Sequence, residues 1–284
     1  MFKKIFFAAA LLLASELGAK PVVIASIAPV EYLAKAVGGD KIEVQSLAKG
    51  DVHSYEPKPN DMKAVAKARI FIAAGLEFEE AWIPRFKASA KNLVVVKSDA
   101  KIAKLKEERG EQAEHDEKHE AHADPHVWLN PMLAITMARN ISDALIDIDK
   151  ANKDFYLENF QKLMNDLLAF DESAKESLAG LKNRKFVVYH PAWGYFAAHY
   201  DLEQISIERS GKEPKIDEMA STVKMIKDEN IKVIFADPNR SQKSAQILAS
   251  QTGAKVELLD PLGYNLLENL KIAVGAIKDA NSPK

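Results

Sequence analysis

The chain has 284 residues, of which 47% are hydrophobic and 28% are charged, and its formal net charge at pH 7 is −2. This balance is typical of a globular protein with one large or two medium domains, and it excludes a disordered or fibrous chain. The slightly acidic charge predicts no nucleic-acid partner.

The first residues have the layout of a secretory signal peptide. Lys3 and Lys4 precede an apolar run, 5–13, and a more polar stretch ends at Ala19. The run would span about 14 Å as a helix, too short for a hydrocarbon core of about 30 Å. The chain has no cysteine to form a disulfide, bind a metal or carry a lipid. We therefore expect residues 1–19 to direct export and the mature chain to be a free periplasmic protein.

From residue 20 onward, short β-branched runs alternate with helical segments, which predicts parallel sheets covered by helices. The runs fall into two sets, at 22–26, 42–47, 70–74 and 93–96, and at 186–189, 204–207, 233–236 and 255–259. The sequence therefore predicts an α/β fold of two lobes, residues 20–151 and 182–284.

Residues 152–181, between the two sets, carry apolar side chains at mostly helical spacing and no proline or glycine before Gly180. As one helix the segment would be about 45 Å long. We expect it to form a stiff connector between the lobes, which favours small lobe motions.

Three histidines stand at predicted strand ends or loop starts: His53 in Asp-Val-His-Ser-Tyr, His126 in Asp-Pro-His-Val-Trp, and His190 in Val-Tyr-His-Pro. Ligands of open α/β sheets gather at such ends. Taken singly, each residue is more often a hydrogen-bonded histidine than a ligand. Because no helix or hairpin could present all three, a site built from them must straddle the lobes.

Asp260, in Leu-Asp-Pro-Leu-Gly, follows the last predicted strand and could add an oxygen ligand. Three imidazoles and a carboxylate form a tetrahedral set that suits Zn²⁺. The alternative role for Asp260 is a helix N-cap.

The segment 106–124 is acidic and poor in apolar residues, and belongs to the first lobe as a loop. His115, His119 and His122 follow i, i+4, i+7 spacing, so a helix would place them on one face as an auxiliary metal site. The alternative is a solvated acidic loop.

Together, the motifs around His53, His126, His190 and Asp260 resemble, in order and across nearly the whole mature chain, the zinc- and manganese-specific solute-binding proteins of ABC importers. The resemblance implies two four-stranded lobes joined by one long helix, with the metal in the cleft between them. It also implies that the three histidines are ligands and that Asp260 or a water molecule completes the set.

Manganese-preferring relatives tend to have glutamate where this chain has His190, and zinc-preferring ones carry a histidine-rich acidic loop, so the resemblance implies Zn²⁺ as cargo. It further implies a monomer without enzymatic activity that delivers zinc to a membrane permease. Two alternatives stay open. One is a manganese or iron(II) carrier of the same class. The other is a zinc-dependent hydrolase, although the chain lacks a His-Glu-x-x-His motif.

Overall fold

The computed structural model describes residues 19–106, 123–208 and 216–281. Nearly all of the predicted signal peptide, 1–18, and most of the acidic loop, 107–122, lie outside the described residues, and so do His115, His119 and His122. Lys106 and Ala123 form an isolated antiparallel bridge, so the two ends of that loop are adjacent. Within the described part of the chain, no helix is long and apolar enough to cross a membrane.

The first lobe is a parallel four-stranded sheet with the strand order β2-β1-β3-β4. Its strands are β1 (Val22–Ala25), β2 (Glu43–Ser46), β3 (Ile70–Ala73) and β4 (Val94–Lys97). Its helices are α1 (Ala28–Gly38), α2 (Pro59–Val65), α3 (Glu77–Ser89) and α4 (Pro131–Ile148). The central strand β3 is buried at every position, as a parallel strand covered on both faces requires.

The second lobe repeats this topology with the order β6-β5-β7-β8, again entirely parallel. Its strands are β5 (Lys185–Val188), β6 (Glu203–Ser206), β7 (Val233–Ala236) and β8 (Lys255–Leu258). Its helices are α6 (Gly194–His199), α7 (Ile216–Asp228), α8 (Lys243–Thr252) and α9 (Leu266–Asn281). The predicted fold class, two α/β lobes with parallel four-stranded sheets, is therefore confirmed.

A single helix of 26 residues, α5 (Lys153–Leu178), joins the lobes after a short 3-10 turn. It is about 39 Å long. Its buried positions lie three or four residues apart except for one adjacent pair: Tyr156, Phe160, Leu163, Leu167, Phe170, Asp171, Ala174 and Leu178. This stripe packs on α1 and α4 of the first lobe and on α9 of the second. The helix ends before the predicted residue 181 because Gly180 has little helix propensity.

The two lobes share one hydrophobic core, which includes Val23 of the first lobe, Leu167 of α5, and Phe235 and Leu270 of the second. Each lobe also has a smaller core on the other face of its sheet. Buried hydrogen bonds join the lobes directly, and the indole Nε1 of Trp128 donates to the carbonyl of Pro261 at 2.8 Å. Continuous packing of this kind disfavours a wide hinge motion.

Candidate metal centre

His53 lies in the loop between β2 and α2. Its backbone N–H donates to Asp51 Oδ1 at 3.1 Å, and the Ser54 hydroxyl donates to the other carboxylate oxygen. Further along the loop, Tyr55 Oη and the backbone N–H of Lys58 both donate to the Asp61 carboxylate at the start of α2. These local bonds anchor the loop at both ends, and the histidine projects toward the second lobe.

His126 is held by the carboxylate of Asp124, two residues earlier. Asp124 Oδ1 accepts from the His126 backbone N–H at 2.9 Å and is 2.7 Å from the ring Nδ1. A carboxylate only accepts, so Nδ1 carries the ring proton and Nε2 keeps its lone pair. A Cβ at position 194 would lie 3.2 Å from Asp124 Oδ2, closer than most Cβ contacts, so Gly194 leaves room for this carboxylate. Both His126 and Asp124 are buried.

His190 follows β5 by two residues and is also buried. Its Nδ1 lies 3.3 Å from Glu208 Oε2 and 2.6 Å from Arg240 Nη1. The same Nη1 donates to both oxygens of Glu208, at 2.7 and 3.0 Å. The outer edge of the His190 ring therefore faces a carboxylate and a guanidinium that are paired with each other.

The three rings converge between the lobes. One nitrogen of each lies within 4.8 Å of the others, and the Nε2 atoms of His53 and His190 are 3.2 Å apart. The rings surround a small cavity of about 10 Å³, close to the room that one water molecule or ion needs. Among the described residues, these histidines are the one group of three or more His, Cys, Asp or Glu side chains at metal-binding spacing. The structure thus brings together the three histidines singled out from the sequence.

The rings of His53 and His190 are held in the neutral form at neutral pH. Burial, followed by the charges of His126 and Arg240, lowers the pKa of His53 to about 4, although this residue is the exposed member of the group. Burial, reinforced by His126 and Arg240, holds the pKa of His190 well below its ordinary value. Neutral imidazoles have free lone pairs at neutral pH, which a metal requires.

Asp260 does not belong to this three-histidine group. It lies two residues after β8, and its Oδ1 accepts hydrogen bonds from Asn239 Nδ2 and from the backbone N–H of Leu262, both at 2.8 Å. To reach the histidines, its side chain would have to give up these bonds. His199, another histidine of the second lobe, instead contacts Asp171 on α5, with 2.6 Å between Nε2 and Oδ1.

Besides Asp124, four charged residues around the histidines were not singled out from the sequence: Asp51, Glu208, Asp237 and Arg240. Asp51, Asp237 and Arg240 line the small cavity, and Glu208 accepts hydrogen bonds from Arg240. Burial raises the pKa of both Glu208 and Asp237. Glu208 and Asp237 follow β6 and β7 within two residues, so the strand-end rule applied to the histidines would also have found them.

Comparison with known proteins identifies a matching family, related sequences and similar structures. The family model of ZnuA, the periplasmic component A of zinc-uptake complexes, matches residues 23–280. A putative metal-binding protein of Treponema pallidum is 34% identical over 253 residues, covering 86% of this chain and 80% of its own length.

The high-affinity zinc uptake system protein ZnuA of Bacillus subtilis is 30% identical over 284 residues, covering 93% of this chain and 88% of its own length. A crystal structure of ZnuA superposes with a TM-score of 0.86 at 35% identity, covering 92% of this chain and 99% of that one.

Proposed function

The chain belongs to the family of periplasmic zinc-uptake component A, and from this premise we propose that His53, His126 and His190 capture Zn²⁺ in the cleft between the lobes. The protein is the zinc-binding component of an importer. The family consists of solute-binding proteins of transporters, which disfavours the zinc-dependent hydrolase considered from the sequence.

The observation that carries the ligand assignment is the spacing of the ring nitrogens. Two nitrogens that bind one tetrahedral Zn²⁺ at 2.0–2.1 Å are about 3.3 Å apart. The Nε2 atoms of His53 and His190 are already 3.2 Å apart. Capture would therefore need little rearrangement of these two rings, and it would link the two lobes through the metal.

The donor set also supports zinc over the manganese or iron(II) alternative. At nitrogen-rich sites, affinity rises from Mn²⁺ through Fe²⁺ toward the later metals, and Zn²⁺ binds more tightly than Mn²⁺. Acceptors behind the rings support ligation as well, because the Asp124 carboxylate fixes the tautomer of His126 that exposes the Nε2 lone pair.

We retain Asp260 as the proposed fourth ligand, reached by rotation of its side chain, with a water molecule as its substitute. The carboxylate would exchange the hydrogen bonds from Asn239 and Leu262 for a bond to the metal. Since these bonds offset part of the gain, its contribution to affinity is expected to be smaller than that of a histidine.

The remaining assignments follow from the sequence and the family. We infer that residues 1–19 are removed on export, that 20–151 and 182–284 are the lobes around the linker 152–181, and that the protein acts as a monomer. The partner that accepts the zinc is the membrane permease of the importer.

For His115, His119 and His122 we keep the auxiliary metal site as a proposal. Removing these three histidines should leave the stoichiometry of the tight site unchanged.

The test is a competitive metal titration of the chelator-stripped mature protein. We expect one tight Zn²⁺ site per chain, weaker Mn²⁺ binding, and loss of tight binding in His190→Ala. His199→Ala is the matched control, because it removes a histidine of the same lobe that lies outside the three-histidine group. Manganese preference, or unchanged zinc affinity in His190→Ala, would overturn the assignment.

A further inference from the structure

Tyr195 reaches from the second lobe to the first with a hydroxyl group that makes two hydrogen bonds. The residue lies on α6 and is almost fully buried, with 3% of its surface exposed. Its Oη accepts from the backbone N–H of Leu105 and donates to the backbone carbonyl of Asp124, both at 2.8 Å. These two partners lie on either side of the acidic loop, and Asp124 also holds His126. One side chain thus joins α6, both ends of the loop and the residue behind a candidate ligand.

The hydroxyl lies within the stem of the loop, which we define as residues 105–106 and 123–124. The Asp124 N–H donates to the Leu105 carbonyl at 2.9 Å, and Lys106 and Ala123 form an antiparallel bridge. In such a pair, two opposite residues usually exchange both of their N–H to carbonyl bonds. Here the second bond is replaced by a chain that runs from the Leu105 N–H through the Tyr195 hydroxyl to the Asp124 carbonyl. Tyr195 is therefore inserted into the stem.

This position requires a group that both accepts and donates. A hydroxyl accepts with a lone pair and donates its proton, whereas a phenyl ring can do neither. Without the hydroxyl, the Leu105 N–H and the buried Asp124 carbonyl would lose their partner or close directly on each other. Either outcome changes the position of the Asp124 backbone. The carboxylate of the same residue contacts the backbone N–H and the ring of His126, so the change would reach this histidine.

The neighbouring contacts of α6 involve the same segment of the first lobe. Gly194 lies close to the Asp124 carboxylate, since a Cβ there would be 3.2 Å from Oδ2. The backbone carbonyl of Tyr195 accepts from Asn130 Nδ2 at 3.5 Å, and the side-chain oxygen of Asn130 caps α4. Residues 194–195 of the second lobe therefore contact the chain both before and after His126.

Building on the proposed zinc site, we propose that Tyr195 is a positioning residue of that site: its hydroxyl couples the stem of the acidic loop and the second lobe to the orientation of Asp124 and His126. The tyrosine acts through Asp124 and not on the metal. His126 is then held by both lobes, although it belongs to the first. Because coupling between two sites is reciprocal, zinc binding should also stabilise the stem.

The direct test is the zinc Kd of Tyr195→Phe, measured by competition with a calibrated chelator. We expect the Kd to rise about 3- to 10-fold, less than for a direct partner of a ligand, because Asp124 stands between the hydroxyl and His126. Tyr156→Phe is the matched control. Tyr156 is also buried, and its hydroxyl donates to Asp149 Oδ2 at 2.7 Å, at the end of α4 remote from His126. This variant should lose stability and keep the wild-type zinc Kd.

A double variant distinguishes positioning from a general loss of structure. If Tyr195 acts through Asp124, adding Tyr195→Phe to Asp124→Asn should raise the zinc Kd no further than Asp124→Asn alone. If the hydroxyl only contributes to overall stability, the two effects on the Kd should be independent and should multiply.

Amide hydrogen exchange of the wild-type protein tests the coupling without any variant. The Leu105 N–H should be protected, because it donates to the Tyr195 hydroxyl. Zinc loading should slow its exchange about threefold more than that of the Ala90 and Lys255 amides, which donate to backbone carbonyls outside the site.

An unchanged zinc Kd in a folded Tyr195→Phe would overturn the proposal, and so would independent effects in the double variant. If Tyr195→Phe failed to fold, an exchange rate at Leu105 that responds to zinc no more than Ala90 and Lys255 would overturn it. These results leave zinc binding by the wild type intact. Absence of zinc binding in the wild type would instead refute the proposed function, and the role of Tyr195 with it.

Discussion

The Nε2 atoms of His53 and His190 lie 3.2 Å apart although 137 positions separate the two residues in the chain. His53 is carried by the first lobe and His190 by the second, so this distance measures how closely the strand ends of the two lobes approach each other. A metal bound to both would join the lobes directly. The predictions below concern the groups that position these rings and the interface that brings them together.

Asp124→Asn should weaken zinc binding by about 10- to 100-fold, because the amide oxygen is a weaker acceptor for the Nδ1 proton of His126 than the carboxylate. Competition with a calibrated zinc chelator would measure the change. Asp166→Asn is the control, since Asp166 pairs with Lys162 on the exposed side of α5. Affinity within twofold of wild type in Asp124→Asn would show that the carboxylate does not support a ligand.

Asp260→Ala should weaken zinc binding by about tenfold, clearly less than His190→Ala, since water can replace the carboxylate oxygen. The same competition titration would rank the two variants side by side. A loss as large as that of His190→Ala would make Asp260 an indispensable ligand. An unchanged affinity would restrict Asp260 to its hydrogen bonds with Asn239 and Leu262.

The metal-free protein should lose stability as pH falls from about 6.5 toward 4 because of His53 and His190. In the unfolded chain both titrate near 6.5, whereas in the folded chain the pKa of His53 is about 4 and that of His190 is well below 6.5. In this window the unfolded chain binds protons that the folded chain does not, so acid favours unfolding.

The measurement is the Tm of wild type and of His53→Gln/His190→Gln in the presence of a chelator, from pH 8 to 4. The Tm of the variant should rise relative to wild type below pH 6.5 and run parallel to it above. Glu79, whose pKa burial raises to about 7, has the opposite trend, but it is present in both proteins and cancels in the difference. Parallel curves throughout would contradict the prediction.

Trp128→Phe should lower the free energy of unfolding by about 2–4 kcal/mol. The substitution leaves the buried Pro261 carbonyl without its donor and opens space in the shared core. Urea unfolding followed by circular dichroism would give the value. Trp82→Phe, on the partly buried face of α3, should cost clearly less. Equal costs for the two variants would mean that the contact between Trp128 and Pro261 does not stabilise the lobe interface.

The fold class could be predicted because its signals are local. Strands such as β3 and β7 are short, continuously apolar and buried at every position, and the amphipathic period of α5 runs without a break to Leu178. The candidate ligands His53, His126 and His190 could be singled out because each lies in a distinctive local motif, and His190 also follows a strand, β5, by two residues.

What the sequence by itself determined was therefore the two-lobed α/β architecture, the long linking helix and the three histidines, because hydrophobic period and motif context are properties of neighbouring residues. Only the tertiary structure decided which charged groups face those histidines. Glu208, Arg240 and Asp51 come from separate loops, and their contacts with His190 depend on side-chain rotamers and on the close approach of the two lobes. The same holds for Asp260, whose carboxylate accepts hydrogen bonds from Asn239 and Leu262 rather than facing the rings. Its position after a strand did not determine these partners, which depend on how the neighbouring loops pack.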